Sequence, residues 1–202
     1  MSHMNNIKKY YEANYKEGYP DYYIQGWENK TAQEMRFKEL VGRVDLNNKR
    51  ILDVGCGTGN LLEYISERFT GFDYTGVDIL PHMINIAVGK KLEGKFICMD
   101  LFKNNPFKSN SFDAIFSSGI FNLNLGNNKE FLLDAIDLFQ QLSNGTIAFN
   151  LLWEKSPNRE DKYFYFDPDK VEQLLAEKYN HWAVTISKGY LNNDFTVLLK
   201  KK

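Results

Sequence analysis

Residues 51–61 read Ile51-Leu52-Asp53-Val54-Gly55-Cys56-Gly57-Thr58-Gly59-Asn60-Leu61, an apolar run that enters a glycine-rich turn. Arg50 to Val54 has the length and composition of a short buried strand, and Leu61 to Phe69 has helical spacing. Glycines between such elements let the backbone turn tightly and approach a ligand where a Cβ would clash. The helix that follows presents unpaired N–H groups and a positive dipole end, which suits a carboxylate or a phosphate.

Outward from this loop, strands and helices alternate. Tyr74 to Asp78, Lys95 to Cys98, Phe112 to Ser117 and Gly145 to Leu151 predict strands. Pro81 to Val88 and Lys129 to Leu142 predict helices, with Pro81 at a tolerated first-turn position. Short apolar strands alternating with helices predict a parallel sheet covered on both faces. The end differs. Trp182 to Ser187 and Phe195 to Leu199 predict two strands whose link includes turn-rich Gly189 to Asp194. That link is too short for a helical crossover, so the pair is expected to be antiparallel.

Upstream, residues 5–24 are rich in Tyr and Lys and predict a short helix and a loop. Thr31 to Val41 predicts a helix capped by Thr31, with Glu34 three residues later. Residues 153–168 are charged, aromatic and irregular. The chain divides into an N-terminal helical cap, residues 1–44, and a main domain, residues 45–202. Ser2-His3-Met4 after Met1 reads as a cloning remnant, so His3 is left out of any site.

The composition narrows the partners. Of 202 residues 43% are hydrophobic, enough for a full core. No stretch approaches the roughly 20 apolar residues of a membrane helix, and the start lacks a signal-peptide pattern. With a net charge of −1 there is no basic surplus for nucleic acid. Two cysteines, Cys56 and Cys98, suggest a reducing, cytoplasmic setting. No His or Cys has metal-ligand spacing.

The ligand class follows from glycine spacing and acid placement. The dinucleotide fingerprint has glycines at positions one, three and six. Here they stand at 55, 57 and 59, and the sixth position is Asn60. Asp53, two residues before the first glycine, favours a cationic group over a pyrophosphate. Asp78 ends the second strand about 20 residues past the loop, where an acid takes ribose hydroxyls. Asp100 follows the third strand, where an acceptor can pair with an adenine amino group, and Leu101 offers a backbone N–H beside it. All three lie at the carboxyl edge, where open α/β sheets bind ligands.

From about residue 50 to 200 the sequence resembles the class I S-adenosylmethionine-dependent methyltransferases. Residues 51–59 resemble the family's first motif, Tyr74 to Ile79 its ribose motif, Met99-Asp100-Leu101 its adenine motif, and Phe112 to Gly119 its fourth-strand motif. The resemblance implies a Rossmann-like α/β fold, a seven-stranded sheet of order 3-2-1-4-5-7-6 with strand 7 antiparallel and helices on both faces. It implies S-adenosylmethionine as cofactor and S-adenosylhomocysteine as product. Asp53 and Gly55 would hold the methionine part, Cys56, Gly57 and Gly59 would join them in binding the cofactor, and Asp78 would hold the ribose. Ile79 would pack on adenine, Asp100 and Leu101 would read its edge, and Ser117, Ser118 and Gly119 would line the sulfonium side. Gly26-Trp27, Gln33, Arg36-Phe37, residues 118–122 and Asn193 to Val197 resemble an uncharacterised bacterial subgroup, which implies no particular acceptor.

Several residues keep two readings. Arg36 is a carboxylate clamp or a solvated helix charge. Trp27 and Gln33 either cover the cofactor or anchor the cap. Phe121, Asn122, Asn150 and Trp153, with Tyr163 and Tyr165, are acceptor-pocket candidates or packing. The tyrosines of residues 10–23 are read as packing in preference to a lid. Cys56 is read as a small filler, Cys98 as strand core, Met83 as packing, His82 as a surface or capping residue, and His181 as exposed. Phe121-Asn122 lacks the Asn/Asp-Pro-Pro-Tyr/Phe pattern used on base amino groups. The expected activity is methyl transfer to a small molecule, with no nucleic-acid or membrane partner and no general base assigned. A non-catalytic S-adenosylmethionine-binding module and an NAD-dependent oxidoreductase are the rival readings.

Overall fold

A computed structural model describes residues 3–15 and 18–202, so Met1 and Ser2 of the remnant reading lie outside the described residues. The strands are β1 (Arg50–Val54), β2 (Asp73–Asp78), β3 (Lys95–Cys98), β4 (Phe112–Ser117), β5 (Ser143–Leu152), β6 (Trp182–Lys188) and β7 (Asp194–Lys201). The helices are α1 (His3–Asn14), α2 (Asp21–Ile24), α3 (Lys30–Val41), α4 (Asn60–Ser66), α5 (Pro81–Gly89), α6 (Asn128–Leu142) and α7 (Pro168–Lys178).

The strands form one seven-stranded sheet, β3-β2-β1-β4-β5-β7-β6. The first four pairings, from β3 to β5, are parallel, and β7 runs antiparallel to both β5 and β6. The sheet reverses its order on either side of β1 and β4, which opens a crevice above their carboxyl ends.

Both faces are covered, and alternate strand residues show it. Ile51, Phe116 and Ala148 pack with Phe37, Leu40 and Val41 of α3 and Leu61 and Ile65 of α4. Leu52, Ile115, Ile147 and Phe149 point the other way, onto Ala135, Ile136 and Phe139 of α6 and Val171 and Leu175 of α7. Helix α3 therefore carries part of the sheet's own core.

Two local features differ from the sequence pattern. Asn29, not Thr31, caps α3: its side chain accepts the Ala32 N–H at 2.8 Å. Starting one residue before Thr31 leaves that hydroxyl exposed. Helix α7 is not among the elements expected from the sequence, although Val171, Leu174 and Leu175 have helical spacing. Pro168 opens it, the Asp167 carboxylate accepts the Asp169 N–H at 3.0 Å, and little beyond Val171 and Leu175 is apolar and buried. Cys98 also departs from a core reading, being exposed at the end of edge strand β3. No described helix is long and apolar enough to cross a membrane.

Leu40 is 1% exposed between α3 and the sheet. Leu40→Ala is expected to cost about 2–5 kcal/mol in urea unfolding. A loss well under about 1 kcal/mol would contradict the packing of α3 as core.

Candidate active site

The glycine loop between β1 and α4 is locked from beneath. Gly55 has φ +76°, and a Cβ there would stand 2.3 Å from Ile120 Cγ2, so the turn requires glycine. The amides of Gly55 and Cys56 both donate to the Val77 carbonyl, at 2.8 and 3.1 Å. Asp78 completes the lock. One carboxylate oxygen accepts the Gly57 N–H at 2.9 Å, and the other accepts the Leu80 N–H at 2.9 Å. Burial nonetheless raises the Asp78 pKa, with the backbone donors pulling it back.

A cavity of about 450 Å³ opens above this loop. It brings together Trp27, Arg36, Gly55, Gly57, Asp78, Ile79, Leu101, Ser118, Gly119 and Asn122 of the anticipated residues. Gly119 has φ +101°, and a Cβ on it would lie 3.2 Å from the Trp27 ring. Trp27, 8% exposed, thus lies across the end of β4. The Arg36 guanidinium sits 4.4 Å from the Trp27 ring centroid. It is buried, pairs with Asp194 at the start of β7, and donates to the Ala32 carbonyl at 3.0 Å. Its Nε has no partner. Arg36 is therefore a buried, tethered cation and not a solvated helix charge.

The remaining anticipated residues lie behind the lining. Asp53 is 3% exposed beneath the loop and accepts the Tyr74 hydroxyl at 2.6 Å, so its carboxylate does not reach the cavity. Strand alternation turns residue 53 the opposite way from Val54, which does line it. Cys56 packs against Gly76, and Gly59 begins α4 against the Phe96 ring. One Asp100 oxygen is engaged by the Phe102 and Lys103 amides at 3.1 and 3.2 Å, and Asp100 stays outside the cavity. The Ser117 hydroxyl donates to the Val54 carbonyl at 2.9 Å. Phe121 joins the core beside Phe149, and Trp153 bridges to Phe166. Asn150 stands one layer back: it accepts the Ser118 hydroxyl at 2.9 Å and donates to Thr196 Oγ1 at 2.7 Å.

The cap contributes more than the sequence pattern indicates. Tyr10, Tyr11 and Tyr23 line the cavity, so the tyrosine run is wall as well as packing. The hydroxyls of Tyr10 and Tyr163 meet at 2.9 Å, joining α1 to the 153–168 segment. Gln25 also lines the cavity and donates to Thr58 Oγ1 at 2.7 Å, while Asn60 donates to Gln33 at 2.9 Å. Gln33 thus anchors the cap to the loop and stays off the cavity wall. Gln25, Met83 and Glu160 had no sequence signal as lining residues, because nothing in a local pattern says which loop folds over a crevice.

The residues fit a nucleoside sulfonium. Backbone comes close where Cβ atoms are missing, a carboxylate ends β2, apolar Ile79, Met99 and Leu101 stand beyond it, and an unpartnered Arg36 Nε is available for a carboxylate.

Burial pushes Asp53 up to about 7 from 3.8, partly offset by the Tyr74 hydrogen bond. The native state then keeps a proton that the unfolded chain releases. The stability this proton provides is full below about pH 4 and is lost as pH rises to about 7. Asp53→Asn is neutral throughout. Relative to wild type, it is expected to gain up to about 1.4 kcal/mol per pH unit across that window. Urea unfolding of both proteins at pH 5 and 8 measures this, and equal differences at the two values would contradict a neutral buried Asp53.

Comparison with known proteins agrees with this architecture. Residues 51–138 match the methyltransferase domain family. The chain is 30% identical over 161 residues to Rv1506c of Mycobacterium tuberculosis, a protein named as a methyltransferase, covering 75% of this chain and 92% of that one. It is 39% identical over 67 residues to the 18S rRNA (guanine-N(7))-methyltransferase of Bos taurus, covering 33% of this chain and only 23% of the relative. Its fold matches the magnesium protoporphyrin IX methyltransferase of Synechocystis PCC 6803, crystallised with S-adenosylhomocysteine, at a TM-score of 0.69 and 14% identity over 100% of both chains.

Proposed function

The chain belongs to the class I S-adenosylmethionine-dependent methyltransferases, and from that membership we propose that it methylates a small molecule. The observation that carries the acceptor class is the cavity. Its volume of about 450 Å³, in the lower part of the range for small-ligand sites of about 300–1,000 Å³, is shared with the cofactor residues and leaves room beside them for a small acceptor. The cap and the 153–168 segment wall it in. A nucleic-acid acceptor has the partial match to an rRNA enzyme in its favour, but the net charge of −1 supplies no surplus to neutralise phosphates. Free Cys56 and Cys98 suit a cytoplasmic setting.

S-adenosylmethionine supplies a methyl group that is already activated, so the protein's work is binding, alignment and exclusion of water. Asp78 would take the ribose hydroxyls with lone pairs not used by Gly57 and Leu80. Ile79, Met99 and Leu101 would flank the adenine, and the Leu101 backbone would read its edge in place of the Asp100 side chain. Gly55, Gly57 and Gly119 would admit the methionine part close to backbone. Arg36 Nε would pair with its carboxylate, while Trp27 covers the crevice. Asp53, Cys56, Gly59, Ser117 and Asn150 would act from behind by holding this wall in place.

Isothermal titration is expected to show binding of S-adenosylmethionine and none of NAD, and the reverse result would refute the reading. Asp78→Ala is expected to weaken S-adenosylmethionine binding at least several-fold, because the ribose loses a charged acceptor. Unchanged affinity in a folded variant would show that the ribose does not rest on Asp78.

A further inference from the structure

Beyond Gly119 the cavity is walled by Asn122, Leu123, Phe131, Tyr10, Tyr163 and Glu160. Its charge is one-sided. Among the described residues lining the whole cavity, Glu28, Asp78 and Glu160 are acids and Arg36 is the only base. Arg36 already faces Asp194. Lys162 stands outside the lining and pairs with Glu160 at 2.8 Å. With Arg36 Nε taken by the methionine carboxylate of the cofactor, an acceptor carboxylate or phosphate would lose hydration without finding a further cation in the lining.

A second observation concerns Asn122. Its backbone is fixed at both ends: its N–H donates to the Gly119 carbonyl at 3.2 Å, and its carbonyl accepts the Phe164 N–H at 2.8 Å. Its side chain lines the cavity, yet the amide oxygen is buried and accepts no hydrogen bond. A buried acceptor without a donor is unfavourable, and a ligand N–H or O–H would relieve it.

The lining decides between those two donors. A hydroxyl acceptor must lose its proton to become a good nucleophile. Neither His82 nor His181 lines the cavity, and no lysine does. The Tyr163 hydroxyl is engaged by Tyr10, Glu160 by Lys162 and Asp78 by the Gly57 and Leu80 amides, and Glu28, next to Trp27 in the chain, is not part of the wall beyond Gly119. An amine gives its ammonium proton to solvent water before it binds and is then a neutral nucleophile that needs no base at the moment of attack, whereas a hydroxyl that loses its proton becomes an anion in an acid-lined cavity. The amine's lone pair can face the methyl while an N–H remains on Asn122.

We propose that the methyl acceptor is an amine, bound by an N–H to Asn122 Oδ1 with its body against Phe131 and the Tyr10–Tyr163 wall. This rests on the methyl-transfer reading above. The nitrogen lone pair forms the new N–CH3 bond as the carbon–sulfur bond breaks, and that pair stays on sulfur. The resulting ammonium then gives its proton to solvent water.

The test uses the purified full chain with S-adenosylmethionine and matched probes: benzylamine, cyclohexylamine, 4-methylphenol, benzoate and benzyl mercaptan. Product is read by mass spectrometry, and probe binding by titration in the presence of S-adenosylhomocysteine. The amines are expected to bind and to be methylated. Asn122→Leu is expected to lower amine turnover about tenfold or more, with S-adenosylhomocysteine affinity within about twofold of wild type. Asn122→Asp, which keeps an acceptor oxygen, is expected to retain amine binding. Methylation of the phenol, carboxylate or thiol while the amines stay unbound would overturn the proposal, as would full amine turnover by Asn122→Leu. Absence of S-adenosylhomocysteine binding would instead strike the cofactor reading beneath it.

Discussion

The Asp78 carboxylate holds the loop and the end of β2 in one arrangement, through the amides of Gly57 and Leu80. A turn with three left-handed glycines has few conformations of its own to prefer, since glycine is permissive on both sides of φ. The anchor comes from the neighbouring strand. Val77 accepts two loop amides through its carbonyl, and Asp78 takes another through its side chain. The chain's own hydrogen bonds thus shape the crevice, and the carboxylate that shapes it also lies in its wall.

A second constraint ties the cap to the far end of the sheet. Arg36 of α3 pairs with Asp194 of β7, both buried, while Trp27 lies under the guanidinium and over Gly119. Removing one partner would leave an uncompensated buried charge, which is more costly than the pair's own worth. The cap is also joined to the loop, through Gln25 to Thr58 and Asn60 to Gln33. Lys90 adds an ion pair to Asp21 at 2.6 Å. Cap, loop and terminal hairpin therefore meet around one cavity, which is why its wall draws on residues from Ile7 to Asn193.

Much of this was legible in the amino-acid order, and the reasons differ by level. The strand sequence and the closing hairpin follow from short apolar runs, glycine placement and a link too short for a crossover. Asp78 could be found because strand ends in such sheets point at ligands. Asp53 shows the limit. Its position beside the loop is plain in sequence, but what occupies its carboxylate is Tyr74, a partner 21 positions away. Trp153 and Phe121 keep two readings in sequence for a related reason, since an aromatic near a strand end serves core or cavity according to neighbours that local patterns do not reveal. Helix α7 was legible as well, from Asp167 before Pro168 and the spacing of Val171, Leu174 and Leu175, but its apolar face is narrow and only Pro168, Val171 and Leu175 are buried. The wall formed by Tyr10 and Tyr163 joins segments 153 residues apart, and no spacing rule reaches that far.

Every proposed role requires a nucleoside sulfonium in the crevice above β1, β2 and β4. A crystal structure with S-adenosylhomocysteine tests this. Ribose hydroxyls are expected on Asp78, adenine between Ile79 and Leu101, the methionine carboxylate at Arg36 and the sulfur beside Gly119. Nucleoside density elsewhere, or a ribose turned away from Asp78 with Arg36 bonded to Asp194 alone, would contradict it.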